Sequence, residues 1–513
     1  MSKSTSTMDV SHVEQPPPGL EKVELGSADP SVARRLEVEK KLRHKFDRRV
    51  LPLGIVIYLL AQIDRSNMSN AVVLGLRGDT DLTGNRFNIA LSLFFVTYIV
   101  FEIPANMMCK RFGPRAWLSF ITFGFGITTM STAFVTNYWG LLLCRALLGL
   151  FESGVQPGLM FAYSQFYRRH ELASRWGIKA AGASCAGAFG GLLGSGLGNI
   201  PKAGMMERWR WIFLIEGLMT AIFAGLVFWL MPTDITTATF LTEEEKRVGI
   251  ERIADENKMG VGDEDLSPWR LDVMKSALWN LNTQLVSLGL IMSLLSLTAL
   301  SLFMVSQPHF HSGVPILIKI QPSLLRSMGY SATHAQLLTV PPYVLAAVVC
   351  VGASFLSDRL HTRGLIVIVL TPLTILGFLL MAVLKSNTGR YIALFLPTAA
   401  AFTCSPILLA WVVGNSAGPS VRAVVSAYAV GEANVGGLIA TWTYLPGDAP
   451  RYTRGHWINF GGSCILLVVA IVTTLYLRWE NRVRARGGRE GRLCDPGQVW
   501  KLGHRHPEYR YTA

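Results

Sequence analysis

The stretch that decides the fold is CRALLGLFESGVQPG, residues 144–158, an apolar run that contains Arg145 and Glu152. Seven residues are close to two helical turns, so a helix places both charges on one face. A charged side chain inside a membrane helix costs roughly 2.5–3.5 kcal/mol on insertion scales and needs a wet cavity or a partner. The run therefore predicts either a cavity lined by the two charges or an Arg–Glu pair that only holds two helices together.

A second charged pair, Asp64 and Arg65, lies in an earlier apolar run at residues 50–74. Because two separate runs each carry an acid and a base, the pattern favours a polar cavity between membrane helices over an isolated structural pair.

The composition is that of a polytopic membrane protein, since half of the 513 residues are hydrophobic. The net charge is +14, but the basic residues lie in tails and short loops, where the positive-inside rule places them, so no nucleic-acid partner is expected. The seven cysteines contain no CxxC pair and lie mostly in apolar runs. They predict no disulfide framework, metal site or cofactor.

Twelve apolar runs are long enough to span a bilayer. Their approximate bounds are 50–74, 87–108, 115–134, 138–162, 175–199 and 211–231, followed by 283–305, 335–357, 363–385, 390–413, 423–445 and 457–478. This layout predicts an all-α membrane protein with twelve transmembrane helices in two six-helix bundles, residues 50–231 and 276–478.

The segments outside the bundles are polar. They are an N-terminal tail at residues 1–49, a linker with an amphipathic helix at 232–275, and a C-terminal tail at 479–513. No cleaved signal peptide is expected. Because basic residues concentrate on the side that carries the tails and the linker, both termini are predicted to be cytoplasmic.

Short basic loops occupy matching positions in the two halves. NMMCKRFGPR (106–115) joins the second and third predicted spans, and SFLSDRLHTR (354–363) joins the eighth and ninth. Both resemble the loop motif of the major facilitator superfamily, which implies that they tie neighbouring helix ends together as a conformational latch. The residues concerned are Arg111, Arg115, Asp358, Arg359 and Arg363. The alternative is simple positive-inside anchoring.

Longer stretches carry a closer resemblance. They are IDRSNMSNA (63–71), FFVTYIVFEIPANMMCKRFGP (94–114), LLGLFESGVQPG (147–158), WRWIFLIEG (209–217), LTEEEK (241–246), GYSATHAQLLTVPPYV (329–344) and NVGGLIATWTYLPGDAPRYTRGH (434–456). Together they resemble the fungal anion:cation symporter family, which includes allantoate, nicotinate and pantothenate permeases. The resemblance covers nearly all of the chain from Asp47 to Glu480.

The resemblance implies a secondary active transporter that takes up a small organic anion with protons by alternating access. A nicotinate-like carboxylate is the first substrate suggested, with allantoate, pantothenate and sugar acids as the others. The expected setting is the lipid bilayer of the plasma membrane, with the protein as a monomer. The alternative from another class is a transporter-like nutrient sensor, and no enzyme activity is expected.

The same resemblance implies roles for the charged residues of the apolar runs. Asp64 and Glu152 would carry the protons. Arg65 would bind the substrate carboxylate or couple it to Asp64, and Arg145 would pair with Glu152 in the same substrate-binding region.

Three further polar residues lie in predicted spans. Tyr98 is expected in the substrate cavity, with plain packing as the alternative, and Asn434 is expected either there or in a helix–helix hydrogen bond. Glu102 is expected to tie the end of its helix to a basic loop, with a role in the site as the alternative.

One segment departs from the family pattern. Residues 304–320, MVSQPHFHSGVPILIKI, separate Phe303 from Gln321. We expect these 17 residues to be a translated unspliced intron. The alternative is an external loop with two histidines, His309 and His311.

Overall fold

The computed structural model describes most of the chain. The longer described ranges are 30–168, 207–259, 278–303, 332–360, 362–416, 419–445 and 451–490, and the shorter ones are 171, 175, 178–179, 182, 185–190, 192, 196, 275, 448, 506–507 and 509–512. Every regular element in these ranges is a helix. Residues 304–320 lie outside them, so the intron hypothesis stays a prediction.

The first half of the chain supplies eight of the described helices. They are α1 (Pro30–Arg49), α2 (Leu51–Val73), α3 (Leu76–Asp79), α4 (Arg86–Phe112), α5 (Pro114–Thr132), α6 (Tyr138–Glu152), α7 (Val155–Ser164) and α8 (Arg208–Leu230). Helices α6 and α7 together cover the fourth predicted span. The fifth predicted span is described only in part, with residues 185–190 helical.

The second half follows the same plan. The linker contains α9 (Glu243–Met259), and then come α10 (Leu281–Phe303), α11 (Ala332–Leu360), α12 (Arg363–Val383), α13 (Asn387–Gly414), α14 (Pro419–Ala440) and α15 (Thr453–Ala485). Within the described residues, eight helices are long and apolar enough to cross a membrane. The predicted all-α membrane fold is confirmed.

Local sequence signals set the ends of several helices. The Asn137 side chain accepts a hydrogen bond from Gly140 N at 2.7 Å, which caps the first turn of α6. Between α4 and α5, Gly113 has a φ of 81°, and Pro114 follows at the start of α5. Such a backbone conformation favours glycine, and proline suits a first helical position, so two antiparallel helices are joined by one tight turn.

Two ends of the molecule can be distinguished by what lies there. We call the end with α1, α9 and residues 506–512 the tail side, and the opposite end the far side. Arg252 of α9 is fully buried and forms an ion pair with Glu171 at 2.9 Å. Lys45 of α1 forms another with Glu245 of α9 at 2.7 Å. The linker helix therefore packs on the first half of the chain.

Glu245 lies outside the membrane-spanning segments. Burial raises its pKa, but the hydrogen bonds from Lys45 and from the Thr242 backbone lower it more, so the pKa lies below its ordinary value.

The end of the C-terminal tail is held against the second half. Asn415 exchanges two hydrogen bonds with the Thr512 backbone, at 2.9 and 2.8 Å. Asn481 does the same with the Tyr511 backbone, at 2.8 and 2.9 Å. These reciprocal amide pairs connect the tail-side ends of α13 and α15 through the tail.

Helices α5 and α8 approach closely because glycines face each other. A Cβ on Gly217 would lie 2.7 Å from Gly126 O and would collide with the Met130 backbone. A Cβ on Gly126 would lie 2.8 Å from Ala221 N. Small residues at such a crossing allow backbone contact, which is how membrane helices gain packing energy.

We expect Gly217→Ala to lower the free energy of unfolding by about 1–3 kcal/mol, because the added methyl group meets backbone that cannot rotate away. Thermal unfolding of the purified protein in detergent measures the change. Gly225→Ala on the same helix is the matched control, since a Cβ there meets nothing within 4 Å. Equal stability of the two variants would contradict the predicted contact.

Candidate functional site

A cavity of about 670 Å³ lies between the two halves of the chain. Arg65 and Tyr98 line it from the first half, and Tyr343 and Asn434 line it from the second. Its volume lies in the range of small-molecule sites.

The cavity opens toward the tail side. Its lining extends to Lys110 near the tail-side end of α4, to Arg363 at the start of α12, and to Arg422 at the start of α14. The helix ends of the two halves are therefore apart on this side.

On the far side, the two halves touch. Asn88 Nδ2 of α4 donates to Thr441 O at 2.5 Å, and Ser92 Oγ lies 2.9 Å from Thr441 Oγ1. Ser69 Oγ of α2 donates to Leu302 O of α10 at 3.1 Å. These contacts close the far side of the cavity.

All charged side chains that line the cavity in the described part of the chain are cations. They are Arg65, Lys110, Lys179, Arg363 and Arg422. Like charges around a low-dielectric cleft add up to a field that attracts the opposite charge. The cavity is thus suited to an anion.

Arg65 is positioned by an ion pair and by aromatic rings. Its Nε lies 2.9 Å from Glu152 Oε2. Its guanidinium carbon lies 5.2 Å from the ring centroid of Phe94 and 4.8 Å from that of Tyr98. Rings below a guanidinium restrict its plane and stabilise its charge.

The expected pairing of Arg145 with Glu152 is wrong in this state. Among the described residues, the ion pair of Glu152 is with Arg65, on α2. Arg145 is 3% exposed, and its guanidinium lies 6.0 Å from the ring centroid of Phe213. Seven-residue spacing puts both side chains on one face of α6, but the nearer cation comes from another helix.

Asp64 lies behind the cavity wall in a buried polar layer. It accepts a hydrogen bond from Thr129 Oγ1 of α5. One turn along α2, Asn67 donates to Glu216 of α8. The structure therefore separates the adjacent residues Asp64 and Arg65, with the acid turned into the first bundle and the base turned to the cavity.

Two residues in this region were missed by the sequence reasoning. Lys179 donates to Gln156 Oε1, and its Nζ lies 3.8 Å from the ring centroid of Tyr58, all at the cavity. Glu216 belongs to the buried layer. The signal that could have found both is the same as for Arg145, a charged residue within an apolar run.

Tyr98 and Asn434 both line the cavity, from opposite halves. Tyr98 lies under Arg65 and is 1% exposed. The Asn434 Nδ2 atom donates to Val430 O at 2.8 Å, and this hydrogen bond stays within α14.

The basic loop residues tie helix ends within each half. Arg115 Nε donates to Phe228 O of α8 at 2.7 Å, and Arg363 Nη1 donates to Ala410 O of α13. The guanidinium of Arg111 lies 5.8 Å from the ring of the adjacent Phe112. Arg359 is exposed, and the Asp358 side chain lies outside the described residues.

Glu102 does not make the expected tie to a basic loop, and that expectation is wrong. The side chain is fully buried, and neither carboxylate oxygen has a hydrogen-bond partner in the described part of the chain. A Cβ on Gly431 of α14 would lie 3.4 Å from Glu102 Oε2, so the carboxyl group abuts the other half of the chain.

A central cavity between two helical halves, open at one end and closed at the other, defines a secondary transporter. The family profile described as Major Facilitator Superfamily matches residues 54–441. The chain therefore belongs to the Major Facilitator Superfamily. It is an integral membrane protein with the twelve-helix, two-bundle fold of that family and transports a small molecule.

Curated relatives are similar over almost their full length. The MFS transporter prlL of Fungal sp. (strain NRRL 50135) is 33% identical over 495 residues, 92% of this chain and 94% of that protein. The uncharacterized transporter C1039.04 of Schizosaccharomyces pombe is 34% identical over 455 residues, 87% of this chain and 85% of that protein.

Among solved structures, the proton:xylose symporter XylE from E. coli matches with a TM-score of 0.62 and 13% identity. The match covers 83% of this chain and 94% of that chain. At this identity the likeness shows the fold alone.

A double-mutant cycle tests the pairing of Glu152. We expect Arg65→Gln and Glu152→Gln to show a coupling energy of about 1–3 kcal/mol in thermal unfolding, because each single change leaves a buried partner unpaired. The matched cycle with Arg145→Gln and Glu152→Gln should show a smaller coupling. A larger coupling to Arg145 would mean that the pairing in the structure does not dominate.

Proposed function

We propose that the protein is a symporter that takes up a small organic anion together with protons, of the fungal anion:cation symporter type. The observation that carries the proposal is the cavity wall, whose described charged side chains are all cations. A carboxylate such as nicotinate, or a related vitamin or nitrogen source, is the substrate class we favour. Allantoate, pantothenate and sugar acids are the other members of that class.

In this proposal the bundles keep the predicted bounds, residues 50–231 and 276–478, and the protein works as a monomer. The tail side is cytoplasmic, because the basic tails, linker and short loops lie there. The protein lies in the plasma membrane with its cavity open to the cytoplasm. The structure is then the inward-open state.

Arg65 is the residue best placed to bind the substrate carboxylate. Its Nε donates to Glu152, and its side chain also interacts with Tyr98. The side chain is 24% exposed and lines the cavity. A guanidinium can bind a carboxylate at two points, whereas an ammonium group binds as a point charge.

Proton coupling follows from competition for Arg65. A substrate carboxylate bound to Arg65 shares the cation on which Glu152 depends. Glu152 is fully buried, and a buried carboxylate with a weakened countercharge is stabilised by taking up a proton. Substrate binding and protonation of Glu152 therefore favour each other, which is the thermodynamic basis of symport.

Asp64 supplies the second proton site in this proposal. Its contact with Thr129 places it in the buried layer on the other side of α2. Arg145 on α6 is the cation associated with that layer.

We expect Arg65→Lys to weaken apparent substrate affinity at least about tenfold, or about 1.4 kcal/mol, because the two-point contact is lost while the charge remains. Concentration-dependent uptake of labelled small carboxylates in a permease-deficient cell measures the change. Arg247→Lys on the exposed face of the linker helix is the matched control. An amide analogue that competes as well as the acid would rule out an anionic substrate.

We expect Glu152→Gln and Asp64→Asn each to abolish uphill accumulation while exchange of internal for external substrate continues, because a neutral amide cannot carry a proton. Uptake against an imposed pH gradient, normalised to surface protein, measures this. Glu251→Gln on the linker helix is the control. Full accumulation in both variants would remove these residues from the coupling mechanism.

A further inference from the structure

We propose that Glu102 is a proton-binding residue at the junction of the two halves, and that its protonation favours the tail-side-open arrangement. Neither the substrate site nor the proton sites proposed above include it, and the inference does not depend on which anion is carried.

The first observation is its burial without a partner. Glu102 is fully buried, and among the described residues neither Oε1 nor Oε2 has a hydrogen-bond partner. An ionised carboxylate in such a place is less stable than the neutral acid, because it has lost water and gained no hydrogen bond, and the positive charge of Arg65 offsets only part of that loss. In this conformation Glu102 therefore holds a proton.

The second observation is its position along the contact between α4 and α14. From the far side, this contact runs from the Asn88–Thr441 hydrogen bond to Glu102 against Gly431. Beyond that level, toward the tail side, Lys110 of α4 and Arg422 of α14 both line the cavity. Glu102 thus lies between the two halves, on the tail side of their closed contact.

This position changes when the transporter switches. Alternating access closes the tail side and opens the far side, so α4 and α14 must pivot about the middle of their contact. The packing of α14 around Glu102 changes with that pivot, whereas residues inside one rigid bundle keep their neighbours.

Other titratable groups surround the site without pairing with it. The charged side chains on α4 and the helices beside it are Arg86, Lys110 and Arg111 on α4 itself, Asp64 and Arg65 on α2, Arg145 and Glu152 on α6, and Arg422 and Glu432 on α14. The other titratable side chains on these helices are Tyr58, Tyr98, Cys109, Tyr138, Cys144, Tyr163 and Tyr428. Helix α7 contains no charged residue, and α5 contains only Arg115 in its first turn. None of these forms a hydrogen bond with Glu102.

The consequence is a proton linkage with a definite sign. Since the tail-side-open state binds the proton of Glu102 more tightly, low pH favours that state and high pH favours leaving it. For one proton, the ratio of the two states changes by up to about tenfold per pH unit between the two apparent pKa values. Release of this proton then helps to reset the empty carrier.

The test is hydrogen–deuterium exchange on the purified full chain without substrate, from about pH 5 to about pH 8, corrected for intrinsic exchange rates. For the normal protein we expect backbone amides in the tail-side parts of α4 and α14 to become more protected as pH rises. Amides near the far-side contact should become less protected over the same range.

Glu102→Gln keeps the size of the neutral acid but cannot ionise, so it should hold the low-pH pattern at every pH. Glu102→Met is a second variant that cannot ionise, in case the amide disturbs folding. Glu432→Gln is the matched control at the same level of the contact and should behave like the normal protein. A normal protein without this pH dependence, or a folded Glu102 variant that keeps it, would overturn the proposal.

Discussion

The structure depends on the ion pair between Arg65 and Glu152 in the membrane interior. Neither charge is stable alone in that medium, and the pair joins α2 to α6 at the cavity wall. The aromatic rings of Phe94 and Tyr98 lie against the guanidinium and restrict its plane, and the Arg65 side chain lines the cavity. The pair is therefore a structural link between two helices that lies at the cavity wall.

The two halves are held together in a way that suits repeated opening. On the far side they meet through single hydrogen bonds such as Asn88 to Thr441, and by close approach at glycines such as Gly437, where an added Cβ would collide with the Phe95 ring. Within one half, α5 and α8 are packed backbone to backbone at Gly126 and Gly217. Rigid bundles with a lightly bonded interface can rock without losing their own cores.

The charge pattern separates cations from carboxylates. The charged side chains on the described cavity wall are cations, whereas the carboxylates lie behind that wall. Glu152 connects the cavity wall to the buried carboxylates, because it pairs with Arg65 of that wall. Asp64 and Glu216 lie deeper, and Glu102 lies between the halves.

The sequence by itself determined the membrane fold and the choice of important residue types. Apolar runs of bilayer length must become helices, because unpaired backbone groups cannot remain in lipid. A charge inside such a run must find a cavity or a partner, which singled out Arg65, Arg145 and Glu152 before any contact was known. The same rule covers Lys179 and Glu216, which the reading of the sequence passed over.

Only the tertiary structure decided which charges meet. Helical periodicity relates Arg145 to Glu152 on one helix, but the rotation of α2 against α6 brings Arg65 to Glu152 instead. The contacts of Glu102 with α14 and of Asn415 with Thr512 join residues far apart in the chain, and no local pattern encodes such distances. Pairing inside a membrane is set by how helices rotate and cross when they pack, a property of many weak contacts together.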